Sequence, residues 1–292
     1  MKRLTLAVLL SLAFSPFVLA ADLPKGSADE SSPREEPKAG EAGDQSTSAE
    51  EGDEEETSAT RESAGATSAD EILDKVDENL TFETRTARVT MVVEGRRTRT
   101  FEMQTYARGL EDAAIEYLSP PRERGTRMLK LGDELWMYMP AIDRVQKISG
   151  HMLREGMMGS DVSYEDLMES PEMREMYDAE LVGEEDLDGQ PTWKLEMTAK
   201  DRAVTYPRRV IWVDKGTFIP LKQELYALDD MLLKTWTMSE IEEFEEERRF
   251  PTRMTIEDHV IEDSVTRLEF ANIEFGVDLE EEVFSLRWVE RR

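Results

Sequence analysis

The chain contains no cysteine. Disulfides and thiolate metal ligands are therefore excluded, and so is the lipid-modified N-terminal cysteine that would anchor a bacterial export product. Histidine is nearly as scarce: His151 and His259 stand far apart, in no ligand-spaced motif, so no metal site is expected of them. Basic charge is also short. Lys and Arg number 36 against 65 Asp and Glu, a formal net charge of −29. Nothing here makes a basic footprint for nucleic acid, and the balance opposes electrostatic adhesion to anionic headgroups. Nucleophile elbows, phosphate-cradling glycine loops and dinucleotide fingerprints are missing too. The nearest match to a calcium loop, "EEDLDG" (184–189), would put Leu195 at its twelfth position, where it cannot ligate. A hairpin turn at Asp188-Gly189 is the better reading. Paired carboxylates are too common in so acidic a chain to be informative. No cofactor and no catalytic group is expected, although an enzyme working through carboxylates is not excluded.

Long apolar runs occur once. "MKRLTLAVLLSLAFSPFVLA" has a basic start (Lys2, Arg3), an apolar stretch and small residues at its end, the pattern of a signal peptide over residues 1–20. The competing reading, an uncleaved anchor helix, needs about 20 apolar residues, and Pro16 interrupts a shorter run. The expected address is the periplasm, as a soluble product. No aromatic occurs between Phe17 and Phe82. Residues 21–68 are a Ser/Ala/Gly/Glu tract, exemplified by "AEEGDEEETSATRESAG", that buries too little to offset the entropy of ordering, so a disordered acidic tail is expected. A tail of that length has an end-to-end distance of roughly 40 Å.

Patterned sequence begins at "SADE", where Ser68 and Glu71 form a capping box ahead of Ile72, Leu73, Val76 and Leu80. That spacing predicts an amphipathic helix over 69–80. The period then changes to two. "ARVTMVV" puts Ala87, Val89, Met91 and Val93 on one face, and "FEMQTY", "AAIEYL", "TRMLKL", "ELWMYM" and "RVQKIS" follow. Later strand candidates are "TWKLEM", "RVIWV", "FIPLKQELY", "LLKTWTM", "RMTIEDHV" and "VTRLEFANI". About a dozen strands with short connections read as one antiparallel sheet. "EIEEFEEERR" (240–249) admits an acidic helix, but Pro251 and the flanking patterns favour strand, turn, strand.

One sizeable insertion, 149–176, interrupts the run. It holds "REGMMGSDVSYEDL", with Met157 and Met158 between Gly156 and Gly159, then Ser160-Asp161, and Ser163 capping a helix that starts at Tyr164. Such a segment reads as a glycine-hinged lid. In "ELWMYMP" both faces are apolar, with Leu135, Met137 and Met139 on one and Trp136 and Tyr138 on the other, so both must be covered. Methionine suits variable apolar shapes, and the chain has 16. Met152, Leu153, Met157 and Met158 read either as core filler or as the lining of a cavity.

"LWMYMPAIDRVQKIS" followed by "MMGSDVSYEDL" resembles the signature of the outer membrane lipoprotein-sorting protein family, in the LolA/LolB-like superfamily. "VIWVDKGTFIPLKQELY" and "EEVFSLRWVERR" are similar to its later motifs. The likeness spans the domain expected over 69–292. It departs at Val162, where the family usually has an aromatic. The resemblance implies a mainly β (α+β) fold: a strongly curved antiparallel sheet forming a half-open barrel, with helices capping its concave face. Within such a fold, the apolar residues singled out above, Trp136, Met137, Tyr138, Met139, Met152, Leu153, Met157 and Met158, are the candidates for cavity lining or lid. Gly156, Gly159, Ser160, Asp161, Ser163 and Tyr164 would supply hinge and motif. The implied cargo is the acyl chains of lipoproteins or lipids, passed between an inner-membrane transporter and an outer-membrane acceptor. The alternative is a sensor, or the periplasmic partner of a lipid-exporting transporter of the RND type.

Overall fold

The computed structural model describes residues 67–291, apart from 170, 171, 203, 245–247 and 262. The signal peptide and nearly all of the acidic tail expected from the sequence lie outside the described residues. Thirteen strands form one sheet in which every neighbouring pair is antiparallel. They are β1 (Thr84–Glu94), β2 (Arg99–Arg108), β3 (Asp112–Ser119), β4 (Arg127–Leu131), β5 (Glu134–Met139), β6 (Arg144–Ile148) and β7 (Tyr177–Leu187). The remainder are β8 (Gln190–Ala199), β9 (Arg208–Asp214), β10 (Pro220–Tyr226), β11 (Leu232–Glu243), β12 (Arg249–Asp258) and β13 (Val265–Phe275). The spatial order is β6-β5-β4-β3-β2-β1-β13-β12-β11-β10-β9-β8-β7, so two meanders meet where β1 pairs with β13. The sheet curls without closing, and β6 and β7 are its two edges.

Alternation decides which side chains face the inside of the curl. In β1, Ala87, Val89, Met91 and Val93 are all buried, as their period of two requires. They join one continuous apolar cluster with Leu195, Met197, Ile211, Trp236, Met238 and Ile256. Helix α1 (Ala69–Asn79) lays Ile72, Leu73 and Val76 into this cluster, each fully buried and worth about 2 kcal/mol of gross transfer energy. Its capping box is formed: Ser68 Oγ accepts from Glu71 N at 3.1 Å and Glu71 Oε2 accepts from Ser68 N at 2.9 Å.

The insertion contributes two short helices to the same face, α2 (Tyr164–Met168) and α3 (Met173–Met176). α2 begins at a second capping box, Ser163 with Asp166. The segment 240–249 is strand, turn, strand, since Ile241 of β11 lies opposite Pro251 of β12. The Asp188-Gly189 pair forms the β7–β8 turn, with φ of 53° and 87°.

The other face of the sheet carries a second, small cluster of Ala114, Leu129, Tyr138, Trp288 and Val289. Its cover is α4 (Leu286–Glu290), capped by Ser285, whose Oγ accepts from Trp288 N at 3.2 Å. Arg127 fixes this helix: Nη1 donates to Trp288 O at 3.0 Å, and the guanidinium lies 5.0 Å from the Trp288 ring centroid.

Candidate functional site

The predicted lid is a closed turn. Met157 N donates to Val162 O at 2.7 Å, Ser160 N to Met157 O at 3.0 Å, and Tyr164 N to Glu155 O at 3.1 Å. A Cβ on Gly156 would stand 2.0 Å from Ser160 O, so glycine is required by close approach of the backbone. Gly159 has φ of 69°, and Arg99 donates to the carbonyls of Met158 and Gly159, both at 2.7 Å. These glycines thus serve a tight turn pinned by Arg99. Asp161 is buried, its backbone N–H donating to Thr266 Oγ1 at 2.9 Å while Thr266 Oγ1 donates to Asp161 Oδ2 at 2.6 Å.

The structure divides the predicted cavity residues. Met137 and Met157 are buried in the inner cluster, with Met139, Met152, Leu153 and Met158 half-buried against it. The Tyr164 hydroxyl reaches Met137 Sδ at 3.7 Å. Trp136 and Tyr138 belong to the opposite face. Tyr138 packs under α4 and donates to Asp143 Oδ1 at 3.0 Å, and the Lys147 amine lies 5.7 Å from the Trp136 ring centroid. The alternation within β5 separates them from Leu135 and Met137, and the cover required on their side comes from the C-terminal helix. Beneath 150–168, Met157, Val162, Leu167 and Met168 are buried and share one apolar cluster with the strand residues.

What holds α2 down is ionic, which the sequence reading did not anticipate. Asp166, fully buried, accepts from Lys234 Nζ and from the Tyr206 hydroxyl, each at 2.5 Å. Glu169, one residue past α2, pairs with Arg209 Nη2 at 2.5 Å, and both side chains are at most 1% exposed. Arg209 Nε donates to the Tyr177 hydroxyl at 2.7 Å, which in turn donates to Tyr206 O at 3.1 Å. Burial pushes the Glu169 carboxyl well above its usual range, with the Arg209 charge opposing. Burial also lifts Tyr206, assisted by the Asp166 charge. A third inner-face cation, Arg85, sits among Phe82, Phe250 and Phe270 at 5.2–5.7 Å from their ring centroids, and burial lowers its pKa to about 9. The inside of the curl is therefore apolar with embedded cations.

An open cavity of about 680 Å³ lies beside the end of β11. It is lined by Leu187, Leu221, Met238 and Ile241 together with polar residues that include Asp188, Gln190, Ser239 and Glu242. Its size falls within the range of ligand pockets, roughly 300–1,000 Å³. Met238 also belongs to the inner cluster. Among the described residues no group of three or more His, Asp or Glu is placed to hold a metal ion. No helix among them is long and apolar enough to cross a membrane.

A curled, unclosed antiparallel sheet whose inner face is plugged by short helices defines the LolA-like class of folds. Residues 109–291 match the model of a family described as "-like: Uncharacterized protein". The chain belongs to that family, and its structural neighbours are DUF1329 proteins and outer membrane lipoprotein-sorting domains of the LolA superfamily. A DUF1329 family protein from Desulfovibrio piger is similar at 27% identity and a TM-score of 0.70, over 75% of this chain and 97% of that one. A domain described as outer membrane lipoprotein-sorting, from Vibrio parahaemolyticus, is similar at 25% identity and a TM-score of 0.66, over 75% and 98%. A LolA superfamily protein from Nitrosomonas europaea follows at 26% identity and a TM-score of 0.63, over 76% and 100%. No curated protein matches the chain.

Proposed function

We propose that the chain is a non-catalytic periplasmic carrier that binds acyl chains of lipoproteins or lipids and moves them towards the outer membrane. In this reading residues 1–20 are a cleaved signal peptide, 21–68 an acidic tail and 69–292 the carrier domain. The observation that carries it is the cavity beside β11, whose lining includes Leu187, Leu221, Met238 and Ile241, with Met238 also part of the apolar core that short helices cover. Met137, Met139, Met152, Leu153, Met157 and Met158 would be uncovered, and become cavity lining, only when α2 lifts. Burying an acyl chain is worth about 0.8 kcal/mol per methylene, on the order of 10 kcal/mol for a typical chain. Displacing the plug offsets part of that, and release to a membrane requires the two affinities to be close.

Native mass spectrometry of the chain recovered from the periplasm tests this. Co-purifying acyl species, lost in Met238→Asp and retained at high salt, are the expected result, because apolar burial is not screened. A protein that carries no acyl species and takes up none from vesicles would overturn it.

A second reading, the periplasmic partner of a lipid-exporting transporter, draws on four exposed aliphatics at one end of the sheet. Leu228 and Met231 lie in the β10–β11 turn, and Val260 and Ile261 in the β12–β13 turn. It predicts that Leu228→Ser with Ile261→Ser abolishes cargo delivery while leaving acyl binding intact; unimpaired delivery counts against it.

A further inference from the structure

We propose that the cavity beside β11 receives an acylated peptide in extended conformation. Its backbone pairs as an added strand with residues 239–243 and its acyl chain lies against the neighbouring apolar lining. This rests on the carrier reading and narrows the cargo to lipoprotein or lipopeptide over free lipid.

β11 outruns one of its neighbours. Its pairing with β10 ends at Thr237 opposite Lys222, whereas its pairing with β12 continues to Glu243 opposite Arg249. Residues 239–243 all line the cavity, facing the tip of the β7–β8 hairpin at Leu187 and Asp188. On that side their backbone has no strand partner among the described residues. A row of unpaired N–H and C=O groups beside apolar pockets is the arrangement by which sheets accept an extended peptide. Glu240 has φ 55°, and its carbonyl accepts from Thr252 Oγ1 at 2.7 Å with no shift in the β11–β12 register. This left-handed residue kinks the edge, which disfavours pairing with a long flat strand and suits a few peptide residues.

Charge narrows the occupant further. Both bases of the lining are already engaged, Lys222 with Glu224 at 2.7 Å and Arg249 with Glu243 at 3.3 Å. Asp188 and Glu242 line the cavity with no ion pair among the described residues. An anionic headgroup is repelled there, and a peptide carrying lysine or arginine is complemented.

The mature chain is titrated with palmitate, with a palmitoylated lysine-bearing peptide, and with the same lipopeptide N-methylated at alternate backbone amides. Two or three added backbone hydrogen bonds make the lysine lipopeptide at least about fivefold tighter than palmitate. N-methylation abolishes the advantage, and amide exchange at 239–243 slows only with the unmethylated probe. Glu242→Lys, on an exposed strand position and checked by near-UV circular dichroism, lowers the preference for the lysine probe several-fold. Equal binding of palmitate and lipopeptide, or indifference to N-methylation, overturns strand addition and leaves the carrier reading standing. Binding of none of the probes overturns both.

Discussion

Arg209→Met tests the claim that α2 is held by a buried ion pair. The substitution keeps the bulk of the side chain but removes the bonds to Glu169 Oε1 at 2.5 Å and to the Tyr177 hydroxyl at 2.7 Å. With Glu169 1% exposed, the orphaned carboxylate cannot be rescued by solvent. Losing one partner of a buried pair costs about 3–5 kcal/mol, a large share of the roughly 5–15 kcal/mol that a domain has. The Glu169 carboxyl already sits well above its usual range through burial, and loss of the opposing Arg209 charge raises it further. A folded-state pKa above the unfolded value means stability is complete in acid and declines as pH rises. The loss in Arg209→Met should therefore be smaller at about pH 5 than at about pH 8, where the folded state must either hold the proton or bury a charge. Adding Glu169→Leu should recover most of the stability at the higher pH, since well-packed apolar residues replace buried pairs at little cost. Urea unfolding at both pH values, with amide exchange over 164–168, measures this. A pH-independent loss, or a double variant no better than the single one, would refute the electrostatic account.

Gly156→Ala should destabilise by more than about 1 kcal/mol in urea unfolding, because its Cβ would meet Ser160 O at 2.0 Å. Ser163→Ala removes the oxygen that accepts from Asp166 N at 3.1 Å and should cost about 1 kcal/mol, with faster exchange confined to α2. Burial lifts the Asp77 carboxyl from 3.8 to about 7, with the Arg174 N–H opposing and Glu172 and Asp74 reinforcing. Its contribution is full below the unfolded value of 3.8 and is lost as pH rises through about 7, so Asp77→Asn should flatten that fall and gain at most about 4 kcal/mol above it. Trp288→Ala should cost about 3–5 kcal/mol in thermal unfolding and release Tyr138 to solvent, seen as a change in tyrosine fluorescence.

Twelve of the strands and both capping boxes were legible because each rests on local pattern. The thirteenth strand, β7, was not read. "YDAELVGEEDL" is an edge strand with Asp178, Glu180, Glu184, Glu185 and Asp186 all exposed, so no apolar alternation survives to be read. The helix α4 is five residues long, too short for a helical period to show. For β5 the alternation was read correctly, yet the partner of Tyr138 lies 150 residues away at Trp288, beyond any local signal. The buried ionic roles of Asp166 and Glu169 were lost among 65 acids. Their one distinguishing mark was position, beside Leu167 and Met168 on a capped helix with little polar surface of its own. The open cavity was unreadable because it arises from unequal strand lengths, a property of register.

The two meanders join through β1 and β13, near the middle of the sheet, while β6 and β7 stand at its rims with the plug spanning from one to the other. Among the described residues no ladder of backbone bonds pairs β6 with β7. Prising the rims apart would break side-chain contacts and a few ion pairs but no strand–strand register. The molecule is thus built like a clasped cuff, whose fastening can be undone and refastened without unravelling the cloth.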